Sequence, residues 1–283
     1  MNWVDVAPGD TALEEFGQAH GFHPLHLEDC RSDEQQAKIE PAKGYLFIVL
    51  KLILLRSNDE LSVADLDLFL GSDYLVTVHR APVPLLPQSI ANTADLPADE
   101  AFYRILDAVV DSYLPVLDAV EDRVDSLEDL VIRRPDQKLL EHIADLLTTL
   151  LELRRVLANT RRIAFTLQRM HTLLIRSELQ PFIRDVHDHL ERDLGSAASE
   201  RERLKGLLDI HHSSLASRNN EATRILTVMG TVSLPAVVIA SFFGMSLKYP
   251  GWMSAPWAIL IVIGLIVAVT SGLLWYLKKR DYL

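Results

Sequence analysis

Two uncharged stretches near the C-terminus limit what this chain can become. Residues 225–243 and 257–277 contain no Asp, Glu, Lys or Arg. Each has about the 20 residues that a helix needs to cross a hydrocarbon core of roughly 30 Å. Thirteen residues (244–256) separate them, so the pair is expected to form a tight helical hairpin. More than two hundred residues of ordinary mixed polarity precede it. The expected organisation is a large water-facing domain on a small membrane anchor, with the chemistry at the short link Gly244-Met245-Ser246.

Charge refines this. The formal net charge is -11, yet the membrane end carries Arg218, Arg224, Lys248, Lys278, Lys279 and Arg280. The acidity therefore belongs to the soluble part, which argues against nucleic acid as a partner and suits a protein that handles cations. Basic residues flank the outer ends of both stretches and only Lys248 lies in the link, so both termini are expected in the cytoplasm. Cys30 is the single cysteine. No intrachain disulfide can form, and a reducing compartment is expected. The start MNWVDVAPGD lacks a basic region followed by an apolar run, so no signal peptide is expected.

Residues 1–97 read as a mixed α/β cytoplasmic domain. Tyr45–Leu55, residues 66–70 and Tyr74–His79 have strand composition, with a turn at Gly71-Ser72, and Thr11–His20 reads as a helix capped by Asp10 or Thr11. Residues 81–97 are rich in proline and interrupt the pattern. Residues 98–178 read as two long antiparallel helices. The first carries a stripe of Ile105, Val109, Val116, Val120, Val124, Leu127 and Val131, with a kink or break expected at Pro115. A turn at 133–136 leads into the second, from 137 to about 174. Residues 179–224 form a stalk helix that begins near Pro181 and enters the first span, 225–245, without a break. The outer loop is 246–256, the second span 257–277 and the basic tail 278–283.

One face of the stalk and first span reads Asp209, His212, Ala216, Asn220, Thr223, Leu226, Gly230, Leu234, Val237, Ser241, Gly244. These residues are small or polar with isolated apolar members. A single span cannot enclose a channel, so several copies would have to assemble with this face inward, Leu226 and Leu234 forming narrow apolar rings. The alternative is a helix–helix contact, where small residues are equally favoured. The other faces carry Ile225, Val228, Val232, Val238, Ile239, Phe242 and Phe243, which suit lipid or a packing neighbour.

These residues resemble the CorA family of divalent-cation transporters over nearly the whole chain. The opening Trp3-Val4-Asp5, Leu25-His26-Leu27-Glu28-Asp29 and Lys38-Ile39-Glu40 are similar to that family's start. Ile132-Arg133-Arg134-Pro135 resembles the turn between its two "willow" helices. Arg184-Asp185-Val186, Gly206-Leu207-Leu208-Asp209, Asn220-Glu221 and Pro235 match its stalk and pore helix without a gap, and Gly244-Met245 falls on its Gly-Met-Asn motif. The resemblance implies a homopentameric funnel in the inner membrane. A ring of Gly244-Met245-Ser246 loops would select a hydrated divalent cation, Mg2+ or Zn2+, Co2+ or Ni2+, as substrate, with no cofactor. It also implies closure by cytosolic metal, with Asp185 at a regulatory position, and places Asp209 at the inner end of the pore.

Departures point elsewhere. Ser246 replaces the motif asparagine, Thr223 replaces a bulky gate residue, Lys248 makes the loop basic, and Pro250-Gly251-Trp252 leans toward the ZntB branch. Two alternatives follow: a proton-coupled zinc transporter of ZntB type, or a non-conducting, membrane-anchored metal-sensing scaffold. Neither His187 with His189 nor His211 with His212 shares a helical face, so no zinc site within one chain is expected there. His20, His23 and His26 read as surface or fold residues. The acidic run Glu121, Asp122, Asp125, Glu128, Asp129 reads as a solvated face. No nucleotide-binding loop, metal-finger spacing or hydrolase motif is present, and the chain is not expected to be an enzyme.

Overall fold

Eleven residues of almost unbroken apolar character, YLFIVLKLILL, make the strand Tyr45–Leu55 the centre of an N-terminal sheet. Such a run cannot leave either face in water, so both must be covered. In a computed structural model, residues 1–32, 35–55, 61–80, 83, 86, 96–133, 137–170, 172–244 and 257–279 are described. The strands are β1 (Asn2–Val6), β2 (Lys38–Ala42), β3 (Tyr45–Leu55), β4 (Leu61–Leu70) and β5 (Tyr74–His79), in the order β1-β5-β4-β3-β2. β1 runs parallel to β5 and every other pairing is antiparallel. Gly44, at φ 92°, closes the two-residue turn between β2 and β3 in a conformation that a side chain would strain.

Alternation along β3 sends Leu46, Ile48, Leu50 and Leu52 to one face and Tyr45, Phe47 and Val49 to the other. The second face carries a small aromatic core beneath α1 (Thr11–His20) and α2 (Pro24–Asp29), where Leu13, Phe22 and Cys30 meet Phe47, Phe69 and Val78. Phe22 stacks on Phe69 with ring centroids 4.2 Å apart. Asp10 caps α1 through the Ala12 amide. The first face supports the main core, formed with α3 (Ala98–Asp111), α4 (Leu114–Arg133) and α5 (Gln137–Arg169).

The break expected at Pro115 is real. Proline in mid-helix would lose a hydrogen bond to Asp111 and clash with it, so the chain turns at Ser112-Tyr113 and Pro115 sits in the first turn of α4. Tyr113 fixes the corner: its fully buried hydroxyl donates to the Lys51 carbonyl (2.6 Å) and lies 3.2 Å from the Thr160 hydroxyl. α4 and α5 pack Val120, Val124 and Leu127 with Ile143, Leu150 and Leu157 in one cluster. The second helix ends at Arg169, five residues short of the expected limit. The expected 133–136 turn lies largely outside the described residues.

α6 (Gln180–Gly244) is one helix of 65 residues, with Pro181 in its first turn and Pro235 inside it. α7 is Trp257–Lys279. The chain divides into two units, Met1–Leu208 and Asp209–Leu283, and α6 contributes to both. The observed fold class is the expected one: an α/β N-terminal domain, long helices, and a C-terminal pair of apolar helices.

Candidate functional site: the exposed stripe and the acidic helix face

The Asp209–Leu283 unit holds the two apolar helical stretches. Each helix contains an apolar window of 18 residues with at most two charged side chains, and neither window is buried. Both helices are therefore long and apolar enough to cross a bilayer, and their surface requires a non-aqueous neighbour.

Among the described side chains of 225–244, the half-buried positions of α6 fall on one side: Val228, Thr231, Val232, Pro235, Ala236 and Ile239. Those of α7 do likewise: Val262, Ile266, Thr270, Leu273 and Leu277. At 100° per residue, the predicted stripe lies roughly opposite the half-buried side of α6. Asp209, His212, Ala216, Asn220, Thr223, Gly230, Ser241 and Gly244 are all exposed, as are Leu226 (73%), Leu234 (67%) and Val237 (59%). Every member of the stripe is thus left uncovered by the chain itself. Of the residues expected to suit a neighbour or lipid, Val228, Val232 and Ile239 are half-buried, whereas Ile225 and Val238 are exposed.

Polar groups in this segment are managed locally. The Thr227 and Thr231 hydroxyls donate to the carbonyls of Thr223 and Thr227, both at 2.7 Å. This is the usual way for a helix to carry hydroxyls through an apolar medium. Pro235 has no N–H, so the Thr231 carbonyl loses its helical partner. Lys278 and Lys279 close α7, with the Lys279 ammonium 5.3 Å from the Trp275 ring centroid. Met245 and Ser246 of the predicted selectivity motif, together with Lys248 and Pro250-Gly251-Trp252, lie outside the described residues; Gly244 is the last residue of α6.

In the other unit, Asp185 is exposed on α6 and its carboxylate lies 3.5 Å from His189 Nε2, one turn on. Its surroundings were not legible from spacing. Asp107 and Asp111 of α3, Asp118 of α4 and Asp193 of α6 converge on the same region with Tyr103. Burial pushes the Asp107 carboxyl above its ordinary value, and the neighbouring Asp111 and Asp185 charges add to this while His189 opposes it. Burial also raises Asp193, with Asp111 and Asp118 contributing and His189 and Arg192 opposing. The Tyr103 hydroxyl is pushed up to about 12 by burial and by Asp107 and Asp185. Unneutralised carboxylates crowded together favour protons or a cation. Among the described residues, however, no group of three His, Cys, Asp or Glu side chains is placed to hold a metal ion within one chain. Any ligand set containing Asp185 therefore requires a second copy or a rearrangement.

The remaining candidates behave as fold residues. His23 caps α2, His26 is buried between Tyr45 (2.9 Å) and Glu40 (3.0 Å), and His20 stacks on Phe16. The acidic run on α4 is partly neutralised, since Arg203 binds Asp125 and Glu128 as well as Glu200.

Residues 1–279 match the family described as CorA-like Mg2+ transporter protein. The cobalt/magnesium transport protein CorA of Thermotoga maritima is 29% identical over 291 residues, which cover 99% of this chain and 83% of that protein. Among solved structures, the complete CorA magnesium transporter of Methanocaldococcus jannaschii superposes with a TM-score of 0.87 at 20% identity, covering 99% of this chain and 91% of its own. The ZntB cytoplasmic domain of Vibrio parahaemolyticus matches 76% of this chain and 88% of its own with a TM-score of 0.66 at 12% identity, a likeness of fold alone.

Proposed function

The chain belongs to the CorA-like family of Mg2+ transporters, which are not enzymes, and from that premise we propose that it carries divalent cations through a homopentameric pore lined by the exposed stripe of α6. The supporting observation is geometric. Among the described residues of the two apolar stretches, the half-covered faces of α6 and α7 are apolar apart from Thr231 and Thr270, and the small and polar face of α6 is exposed from Asp209 to Gly244. Five such faces turned inward give a path with Asp209 and His212 at its cytoplasmic end. Asn220 and Thr223 follow, then apolar constrictions at Leu226 and Leu234 with Gly230 between them, then Val237 and Ser241, with Gly244-Met245-Ser246 at the outer mouth. Carboxylates, amides and hydroxyls suit a cation that keeps part of its water shell, as Mg2+ does. The outer shell of Asp209–Leu283 lies in a cell membrane with both termini cytoplasmic.

Regulation belongs to the acidic face. A divalent cation bound at Asp185, with Asp107 and Asp111 nearby and further ligands from a neighbouring copy, relieves the carboxylate repulsion and holds the pore closed. With the expected domain limits, 1–97, 98–178, 179–224, 225–245, 246–256, 257–277 and 278–283, regulation falls to 98–178 and the start of 179–224, and permeation runs from the end of 179–224 through 225–245 to the outer loop.

Uptake into liposomes carrying the purified protein tests the proposal, compared for Mg2+, Co2+, Ni2+ and Zn2+ with and without a pH gradient. Uptake that saturates with Mg2+ or Co2+ and ignores the gradient supports a channel. Zinc uptake that follows the gradient identifies a ZntB-type transporter. No flux of any of the four ions identifies a scaffold.

A further inference from the structure

Among the described residues, Asp67 is the one strand acid that is buried against an apolar core. Along β4 it shares a side with Phe69, pairs across the sheet with Val49 and Val78, and is 3% exposed. Cys30, at the end of α2, closes over it from the aromatic core. One of its carboxyl oxygens, Oδ1, is buried without a hydrogen-bond partner. A carboxylate in such a place lacks the donors that would stabilise its charge, whereas a neutral carboxyl needs fewer.

We propose that Asp67 is a proton-operated latch for α2: with its proton, α2 seats against the sheet, and without it the Cys30 end of α2 lifts to let water reach the carboxylate. Burial, the main cause, pushes the carboxyl up to about 7. The groups that act on it from the packed elements are Cys30 and Asp29 of α2, Asp65 of β4 and Lys51 of β3. Cys30 donates to it and Lys51 attracts it, but Lys51 is already engaged by Asp65. Asp65 and Asp29 repel its charge. On β5 the facing residue, Val78, is apolar. The rest of α2 is tied to the β2 edge: Asp29 binds Lys38 at 2.7 Å, Lys38 binds Glu40 at 3.0 Å, and His26 binds Glu40. Opening is therefore a tilt about that edge and not a detachment.

The sign follows from linkage. In the lifted state the carboxyl returns to its ordinary value of 3.8. Between that value and about 7 the seated form binds the extra proton, so the opening constant rises about tenfold per pH unit and levels off above 7. From pH 5.5 to 8.5 the net increase is about thirtyfold.

Amide hydrogen exchange on the full-length protein in lipid nanodiscs measures this, with protection corrected for the intrinsic pH dependence of exchange. Amides of α2, such as Cys30 N–H bonded to the His26 carbonyl, are expected to lose about thirtyfold protection over that range, while amides of the β3–β4 ladder do not. In Asp67→Asn, α2 protection is expected to be flat above pH 5.5; His26 is retained, so any contribution from its titration remains visible. Flat protection of α2 in the wild type, or an equal fall in the variant, overturns the latch. Asp67→Ser provides the same comparison should the asparagine variant not fold, and the wild-type series decides alone if neither does.

Discussion

In β3, Leu46, Ile48, Leu50 and Leu52 are at most 1% exposed, whereas in α6 Leu226, Leu234 and Val237 are 73%, 67% and 59% exposed. The same kinds of residue finish a core in one unit and find no core in the other. The Met1–Leu208 unit hides its apolar surface with its own chain, so its shape is set by internal packing. The Asp209–Leu283 unit presents its apolar surface outward, so its cover must come from outside the chain, which on the proposed function means lipid and other copies. What a substitution does should therefore depend on which side of position 209 it falls.

Four substitutions, from the largest expected effect to the smallest, break or sharpen that contrast. Leu68→Ala, at a fully buried position of β4, should cost about 3 kcal/mol of stability, seen as a lower thermal midpoint and reduced yield of folded protein. An unchanged midpoint would mean that the sheet does not govern the stability of its unit. A Cβ at Gly230 would meet nothing within 4 Å; Gly230→Phe should abolish cation uptake into liposomes while leaving the thermal midpoint in place. Retained uptake would remove the stripe from the permeation path. Asp185→Asn should raise the Mg2+ concentration that closes the pore by about tenfold, near 1.4 kcal/mol, with maximal uptake unaltered; equal closure in the two proteins would acquit Asp185.

The smallest effect concerns Asp99, which anchors Arg176. Burial would raise its carboxyl, but the Arg176 side chain (2.8 Å) and backbone N–H (3.0 Å) outweigh this and hold it below its ordinary value. A depressed carboxyl stabilises the fold above pH 3.8 and loses that contribution as pH falls through the folded value. Wild type should therefore lose more thermal stability than Asp99→Asn between pH 4.5 and 2.5, as followed by circular dichroism; parallel curves would show the pair to be inert.

How much of this was legible in the sequence depended on how local its causes are. The strands at 45–55 and 74–79, the Asp10 cap and the Pro115 break follow from runs and residue types a few positions apart, and all were readable. β1 and β2 escaped periodicity because NWVDV and KIEPA are short edge strands with mixed exposure. The six residues of α2 are too few for a helical stripe. In LSVADLDLFL, alternation places Asp65 and Asp67 together on what looks like a water face; only the covering by α2, from forty residues upstream, turns Asp67 inward. Still greater separation in sequence hid the company of Asp185, since Asp107, Asp111 and Asp118 come from other helices. That Asp209 to Gly244 share one face of one helix was readable from spacing alone, because its logic is one helix and one repeat; its role in permeation is a proposal.

The sealed position of Cys30, 2% exposed and with its thiol pushed well up by burial and the neighbouring acid, has a practical consequence. A cysteine introduced at 230, 241 or 244 would be the sole fast-reacting sulfur of the chain at or below neutral pH. Charged methanethiosulfonate reagents or a nitroxide spin label could then map wet and oily surfaces of α6 position by position, with no need to engineer the native thiol away.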